Sequence, residues 1–177
     1  MRLEKSDFEE KINFSPRVNI DFDLPLQFGK IIFNGGRYFQ NPPEKYLGLV
    51  EDDNLESVQA EQYSFSYEKL LNESTKLSVS IYNKKYSHAP IVLSSDSTAS
   101  PAFLMDRSIT FNQLISEGNA EARGIEFLIE KKRAENFYGH FGGSLFNSMY
   151  VDYQGIERNR DSNYKYILNV VGGYRPN

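Results

Sequence analysis

Two histidines, His88 and His140, and a complete absence of cysteine limit the chemistry open to this 177-residue chain. Without thiols there is no disulfide framework, no thiolate zinc site and no cysteine nucleophile. Two imidazoles are too few for a multi-histidine metal centre. His140 precedes Ser144 and Ser148 in a segment that reads as a strand. There His140 and Ser144 share a face but stand about 13 Å apart, too far for an imidazole to take the hydroxyl proton. The sequence holds no Gly-x-Ser-x-Gly elbow, no phosphate-cradling glycine loop and no His-Glu-x-x-His pair. The expectation is no enzyme, no cofactor and no bound metal.

Glu51-Asp52-Asp53 with Glu56 offers oxygen ligands of the kind calcium prefers, but the spaced Asp-x-Asp-x-Asp-Gly pattern is missing. The cluster therefore reads as solvated charge. Glu130-Lys131-Lys132-Arg133 reads as a polar rim at a short turn. A formal charge of -4 leaves no basic surface for phosphates, so nucleic acid is not an expected partner. Arg37, Tyr38, Tyr86 and Arg123, with His88 at the start of the longest connection, flank one end of the predicted strands. These five are the candidate ligand contacts.

The elements that position them show period-two alternation in segment after segment. Val18, Ile20, Phe22 and Leu24 alternate with Arg17, Asn19, Asp21 and Asp23. Tyr63, Phe65 and Tyr67 alternate with Gln62, Ser64 and Ser66; Leu77, Val79 and Ile81 alternate with Ser78 and Ser80. Ile125, Phe127 and Ile129 face away from Glu126 and Glu130. Lys30–Phe39, Tyr138–Tyr150 and Tyr164–Tyr174 are less regular but rich in Tyr, Phe, Ile and Val. About seven strands of roughly 8–14 residues follow, longer than the usual 5–6. The chain is expected to be all-β, an antiparallel meander of long strands.

Aromatic residues gather towards strand ends, at Tyr38, Phe39, Tyr82, Tyr86, Tyr150, Tyr153, Tyr164 and Tyr166. Connections alternate in length. Pro25–Phe28, Leu71–Ser74 and Arg133–Phe137 are short, whereas Gln40–Glu56, Ser87–Asn119 and Asp152–Asn163 are long. In a meander this puts tight turns at one end and large loops at the other, as in an outer-membrane barrel. A soluble β domain, with the same apolar faces turned inward, is the competing architecture. There is no run of about 18 apolar residues for a membrane helix. Met1–Ser6 has neither an apolar core nor a cleavage site, so it is not an export signal. The chain is then either cytosolic or a portion of an exported protein.

Three stretches carry a family resemblance. They are Gly36-Arg37-Tyr38-Phe39-Gln40-Asn41-Pro42-Pro43; Asn54–Pro90 with Leu55–Tyr63 entering one strand and Leu77–Tyr86 forming the next; and Gly118-Asn119-Ala120-Glu121-Ala122-Arg123-Gly124-Ile125-Glu126, followed by the hairpin ending in Gly172-Gly173-Tyr174-Arg175. Over about Phe14–Arg175 the chain resembles the β-barrel portion of TonB-dependent outer-membrane receptors. The resemblance implies that residues 1–177 form an internal segment, roughly a third of a 22-stranded transmembrane β-barrel. No plug, TonB box or C-terminal strand is visible in it. It also implies outer-membrane lipid, the receptor's own plug domain and the TonB-ExbB-ExbD system as partners. The cargo would be a bulky nutrient such as an iron-siderophore, cobalamin or an oligosaccharide. The alternatives are a soluble β-rich binding or adhesion module and a membrane-barrel enzyme. Exposure of Phe65, Ile81 and Phe127 separates the barrel from the soluble module.

Overall fold

The computed structural model describes residues 2–5, 12–42, 55–92, 114–132, 136–152 and 154–176. The acidic cluster at 51–53, the Ser-rich stretch at 94–100, Arg133 and Tyr153 lie outside the described residues. The described chain is strand throughout apart from turns and one 3-10 turn: β1 (Arg2–Lys5), β2 (Ile12–Ser15), β3 (Arg17–Leu24), β4 (Gly29–Gln40), β5 (Val58–Asn72), β6 (Thr75–Val92), β7 (Leu114–Lys131), β8 (Phe137–Val151), β9 (Glu157–Asn159) and β10 (Tyr166–Tyr174). β1 and β2 form a small antiparallel pair. The main sheet runs β3-β4-β5-β6-β7-β8-β10, every neighbour antiparallel and consecutive along the chain except that β9, which pairs the far part of β8, comes between β8 and β10. The all-β antiparallel meander is thus as the alternation requires.

Local chemistry closes the short turns. Asn72 Oδ1 accepts from the Ser74 amide at 3.0 Å and from its hydroxyl at 3.1 Å, an Asx turn that reverses the chain at Glu73-Ser74. Between β3 and β4, Pro25 opens a 3-10 turn, and Leu26 and Gln27 take φ of 55° and 60° before Gly29 at 117°. At the opposite end β6, β7, β9 and β10 differ from the sequence expectation. Residues 87–92 and 114–119 are strand, so the connection expected over Ser87–Asn119 begins later and ends earlier. Register breaks between Tyr86 and Ala89 and between Ala89 and Ile91 mask this extension, because bulges interrupt the alternation that marks a strand. The segment expected as a long loop over Asp152–Asn163 contains β9, and the last strand starts at Tyr166.

Because pairing is continuous, side chains line up in rows across the whole sheet. One row reads Ile20, Phe33, Phe65, Ile81, Ile125, Leu145, Tyr166. The next, towards the short turns, reads Phe22, Ile31, Tyr67, Val79, Phe127, Gly143, Leu168. The intervening row on the other face is Asp21, Ile32, Ser66, Ser80, Glu126, Ser144, Ile167. Nothing among the described residues packs over the apolar rows: Phe65 is 46% exposed, Ile81 51% and Ile125 51%. Phe127 is only half-buried, and by its own neighbours: its ring tilts against Phe141 at 5.3 Å and fills the space over Gly143.

Among the described residues the buried apolar cluster sits at the long-loop end, where Val58, Ala89, Ile91, Ala120 and Tyr150 pack together with Tyr86 and Ile115 against them. The middle of the sheet has tight spots too. A Cβ on Gly124 would lie 2.7 Å from the Leu145 carbonyl oxygen, 2.7 Å from Phe146 Cβ and 2.9 Å from the Tyr82 hydroxyl. A Cβ on Gly172 meets only the Tyr138 carbonyl oxygen at 3.6 Å. Gly124→Ala should therefore cost about 1–3 kcal/mol of stability, the usual range for overpacking. Gly172→Ala should be close to neutral. Urea unfolding of both variants tests this; equal midpoints would contradict the packing.

Candidate functional site

Each face of the sheet carries a different set of charges. On the apolar face the greasy rows give way, towards the long loops, to Tyr63, Asn83, Arg123 and Asn147, then to Arg37, Glu61, Lys85, Glu121 and Met149. Arg37 donates to Glu61 Oε1 from Nε at 3.0 Å and from an η nitrogen at 2.6 Å. Asn83 donates to Glu121 at 2.6 Å. A cleft of about 420 Å³ opens in this belt, walled by Glu61, Lys85, Glu121, Arg123, Asn147 and Glu157. Its charges balance, three carboxylates against two cations with Arg37 beside them. Such a belt suits a polar boundary better than selective capture of one charge sign.

The other face is polarised along the strands. Near the short turns it is acidic, with Asp21, Asp23, Glu68, Glu126 and Glu130 against Lys30 and Lys76. Lys30 lies 3.8 Å from both Asp21 and Asp23, and Lys76 3.5 Å from Glu68. A cleft of about 370 Å³ here is lined by Ser78, Ser80, Glu126, His140, Ser144 and Asn169. His140 faces Glu130 across the β7–β8 pair and makes no hydrogen bond with Ser144. Towards the long loops the same face turns cationic and tyrosine-rich. Arg17 stacks over Tyr38 at 4.3 Å, Lys84 lies 5.5 Å from the Tyr82 ring centre, and Arg160 lies 5.6 Å from that of Tyr86.

The chain beyond β8 folds back to supply part of this surface. Asp152 is buried, with a fully covered side chain. It accepts from the amides of Gln154 and Ile156, each at 2.9 Å, and from Arg158 Nε at 2.6 Å. Burial by itself raises the carboxyl pKa, yet the Arg158 bond and the two amides together outweigh it and hold it below the ordinary carboxylate value. Asn163 ties the same segment down, bonding Asn159 at 2.8 Å and Asn147 at 3.1 Å, while the Arg160 amide donates to the Ser148 carbonyl at 3.0 Å.

The five residues expected to contact ligand do not converge. Arg37 and Arg123 stand on the apolar face within the ionic belt, and Tyr38 and Tyr86 on the opposite face. His88 occupies a β6 bulge at φ 56°, with Nε2 3.5 Å from Glu56. All five do lie towards the long-loop end. Arg17, Lys84 and Arg160 were not among them, although Arg17 and Lys84 share a cross-strand row through Gly36 and Gln62 that strand parity makes countable. Arg160 approaches Tyr86 only because β9 turns back onto β8.

No family model matches the chain, and neither does any curated protein or solved structure. Among the described residues no helix is long and apolar enough to cross a membrane, which says nothing of strands, and no cluster of three acidic or imidazole side chains is placed to hold a metal ion.

The Asp152 network has a defined pH signature. A folded pKa below the unfolded one means that its contribution is complete above about pH 4, the unfolded carboxylate value, and disappears as pH falls through the lower folded value. The protection of the Gln154 and Ile156 amides against exchange, relative to the intrinsic rate at each pH, should thus hold to about pH 4 and fall below it. Asp152→Ala should accelerate it at neutral pH, at a local cost of about 1–3 kcal/mol. Equal protection factors for these two amides in acid and at neutral pH would contradict this.

Proposed function

We propose that this chain forms part of the wall of a transmembrane β-barrel, as a segment of an outer-membrane TonB-dependent receptor that takes up a bulky nutrient. The observation that carries the barrel is the uncovered face: seven long antiparallel strands expose apolar rows on one side and polar rows on the other. Water gives such a face no reason to stay open, since burying it would be favoured by about 25 cal/mol per Å². Hydrocarbon supplies that cover without a second sheet, provided that every backbone group is paired; the inner strands β4 to β8 meet this over their ladders, and the edges β3 and β10 need further strands. The TonB-dependent receptor assignment rests on the sequence resemblance, and so do the plug, TonB-ExbB-ExbD and outer-membrane location that go with it.

Strand dimensions agree with this reading. An 18-residue strand such as β6 or β7 extends about 60 Å, well beyond the 9–11 residues that cross a bilayer. The apolar rows occupy the short-turn part, and the ionic belt of Arg37, Glu61, Lys85 and Glu121 lies beyond them. In a barrel the excess length projects from the long-loop side. On β8 the outward rows from Phe137 to Leu145 span about 27 Å along the strand, or about 19 Å of height at a 45° tilt. This is shallower than the usual band of about 25 Å.

Closure adds a constraint. Six antiparallel pairings separate β3 from β10, so these two edge strands run in the same direction. They cannot pair with each other antiparallel. An all-antiparallel barrel containing this sheet needs an odd number of additional strands between them, from a longer polypeptide or another chain.

The soluble binding module differs in one measurable respect: it keeps its apolar rows out of lipid. Refolded protein should float with phosphatidylcholine vesicles, and more completely with short-chain than with 18-carbon lipid because the apolar band is shallow. Ile125→Lys should destabilise the inserted protein by about 2–4 kcal/mol, while Ser80→Lys on the polar face should change little. Protein that remains in the aqueous fraction, with both substitutions equally tolerated, would rule out the barrel.

A further inference from the structure

We infer that the cleft in the ionic belt, on the apolar side of the sheet, receives the headgroup of a membrane lipid in which a phosphate next to the acyl chains is followed by a primary ammonium, as in phosphatidylethanolamine. The inference rests on the barrel reading, since this face must border lipid, and it adds which headgroup the wall prefers.

The chemistry of this face changes row by row along the strands. The last apolar row contains Ile81, Ile125 and Leu145. About 7 Å further towards the long loops stands Arg123, in the row of Asn83 and Asn147. One row beyond are Lys85 and Glu121, directly opposite each other. Glu157 follows one row further still, level with Asn119 and Val151. The order is therefore apolar, cationic, mixed, acidic. An ethanolamine lipid has the same order from its tails outwards: acyl chain, phosphate, ammonium. The cleft over these charged rows, of about 420 Å³, is of the size that holds small ligands.

The charges along this line do not neutralise one another. Glu61 is taken by Arg37, through contacts at 3.0 and 2.6 Å. Glu121 accepts at 2.6 Å from Asn83, a neutral donor that leaves its charge uncompensated. Lys85 lies between these two carboxylates in register. Yet among the described residues neither Lys85 nor Arg123 has a carboxylate within ion-pair distance, and neither Glu121 nor Glu157 has a cation. Two cations and two carboxylates are thus left over, which suits a ligand carrying one charge of each sign. A purely anionic headgroup would meet Glu121 and Glu157, and a purely cationic one Lys85 and Arg123.

Lys85 and Arg123 are diagonal neighbours across the β6–β7 ladder, a separation of about 7–8 Å that two long side chains close easily. Both therefore reach one phosphate, with the Arg123 guanidinium able to hold two of its oxygens. Glu121, two residues from Arg123 on the same strand, then faces the ammonium. A primary ammonium donates N–H to a carboxylate, whereas a trimethylammonium has no such donor and is recognised by aromatic faces instead.

The full chain, refolded in neutral detergent and checked for strand content by circular dichroism, should be titrated at low ionic strength with short-chain lipids that differ only in headgroup, read by phosphorus NMR. Phosphatidylethanolamine is expected to bind saturably, about ten-fold or more tighter than phosphatidylcholine or phosphatidylglycerol. Arg123→Gln should weaken it about ten-fold, the scale of one lost charge-assisted contact. Glu121→Gln should weaken phosphatidylethanolamine and strengthen phosphatidylglycerol, a reversal that loosening of the sheet would not produce. Lys76→Gln, on the other face, should leave all three within about two-fold of wild type. Glycerophosphoethanolamine, which has no acyl chains, should bind far more weakly than the lipid. Equal affinity for the three lipids, an unchanged preference in the folded double variant Arg123→Gln/Glu121→Gln, or glycerophosphoethanolamine bound as tightly as the lipid overturns the inference. Vesicle flotation uses phosphatidylcholine and does not depend on this preference. Protein that enters vesicles but treats the three lipids alike loses only the headgroup site, whereas protein that stays out of vesicles loses the membrane reading and this inference with it.

Discussion

Unbroken backbone pairing from β3 to β10 governs everything else in this protein. Each strand hydrogen-bonds to its neighbour along the meander, with β10 joining β8, so the parity of a residue in one strand sets the face of its partners in all the others. Ile20 thereby fixes Phe33, Phe65, Ile81, Ile125 and Leu145 on the same side, and Asp21 fixes Ser66, Ser80 and Glu126 on the other. A one-residue slip at any ladder would reverse all strands beyond it. The glycines and aromatics in the rows help to resist that slip, as where Phe127 covers Gly143 and the Tyr82 hydroxyl closes over Gly124.

An ordinary β domain would convert these rows into a core. Here, among the described residues, the buried cluster lies at the long-loop end, around Ala89, Ile91, Ala120 and Tyr150, and the broad apolar face remains open. Stability of the middle of the sheet then rests on its ladders, on cross-strand pairs such as Ser66–Ser80, whose hydroxyls lie 2.7 Å apart, and on whatever covers the apolar rows. The edge strand β10 makes this demand most plainly. Leu168 is 66% and Val170 72% exposed, while Ile167 and Val171 are exposed on the other face, so both faces of this edge lack cover. Apolar edges of this kind pair readily with another strand.

Charge is organised on the same parity. The apolar-side belt pairs its ions locally, Arg37 with Glu61, and is nearly neutral. The opposite face separates them, acidic near the turns and cationic among tyrosines near the loops. Separation of like charges into two groups along one face costs self-repulsion that a stability-optimised surface avoids by interspersing signs. The buried Asp152–Arg158 pair secures the segment that brings Arg160 over the Tyr86 ring.

The sequence alone determined the seven long strands of the meander, though not the short β1, β2 and β9, because alternation such as Val18-Asn19-Ile20-Asp21-Phe22 is a local property that any half-buried strand must show. It also determined the short turns, where Pro25 and Asn72 act on their immediate neighbours. The ends of β6 and β7 were hidden, since bulges beside His88 and Ala89 break the period on which the reading depends. The site was legible only as a level along the strands. Which of Arg37, Tyr38, Tyr86 and Arg123 share a face follows from cross-strand register, a relation between residues tens of positions apart. The approach of Arg160 to Tyr86 needed the fold-back of β9 as well. Local chemistry writes alternation and turns into neighbouring residues, whereas only the assembled sheet decides which distant side chains meet.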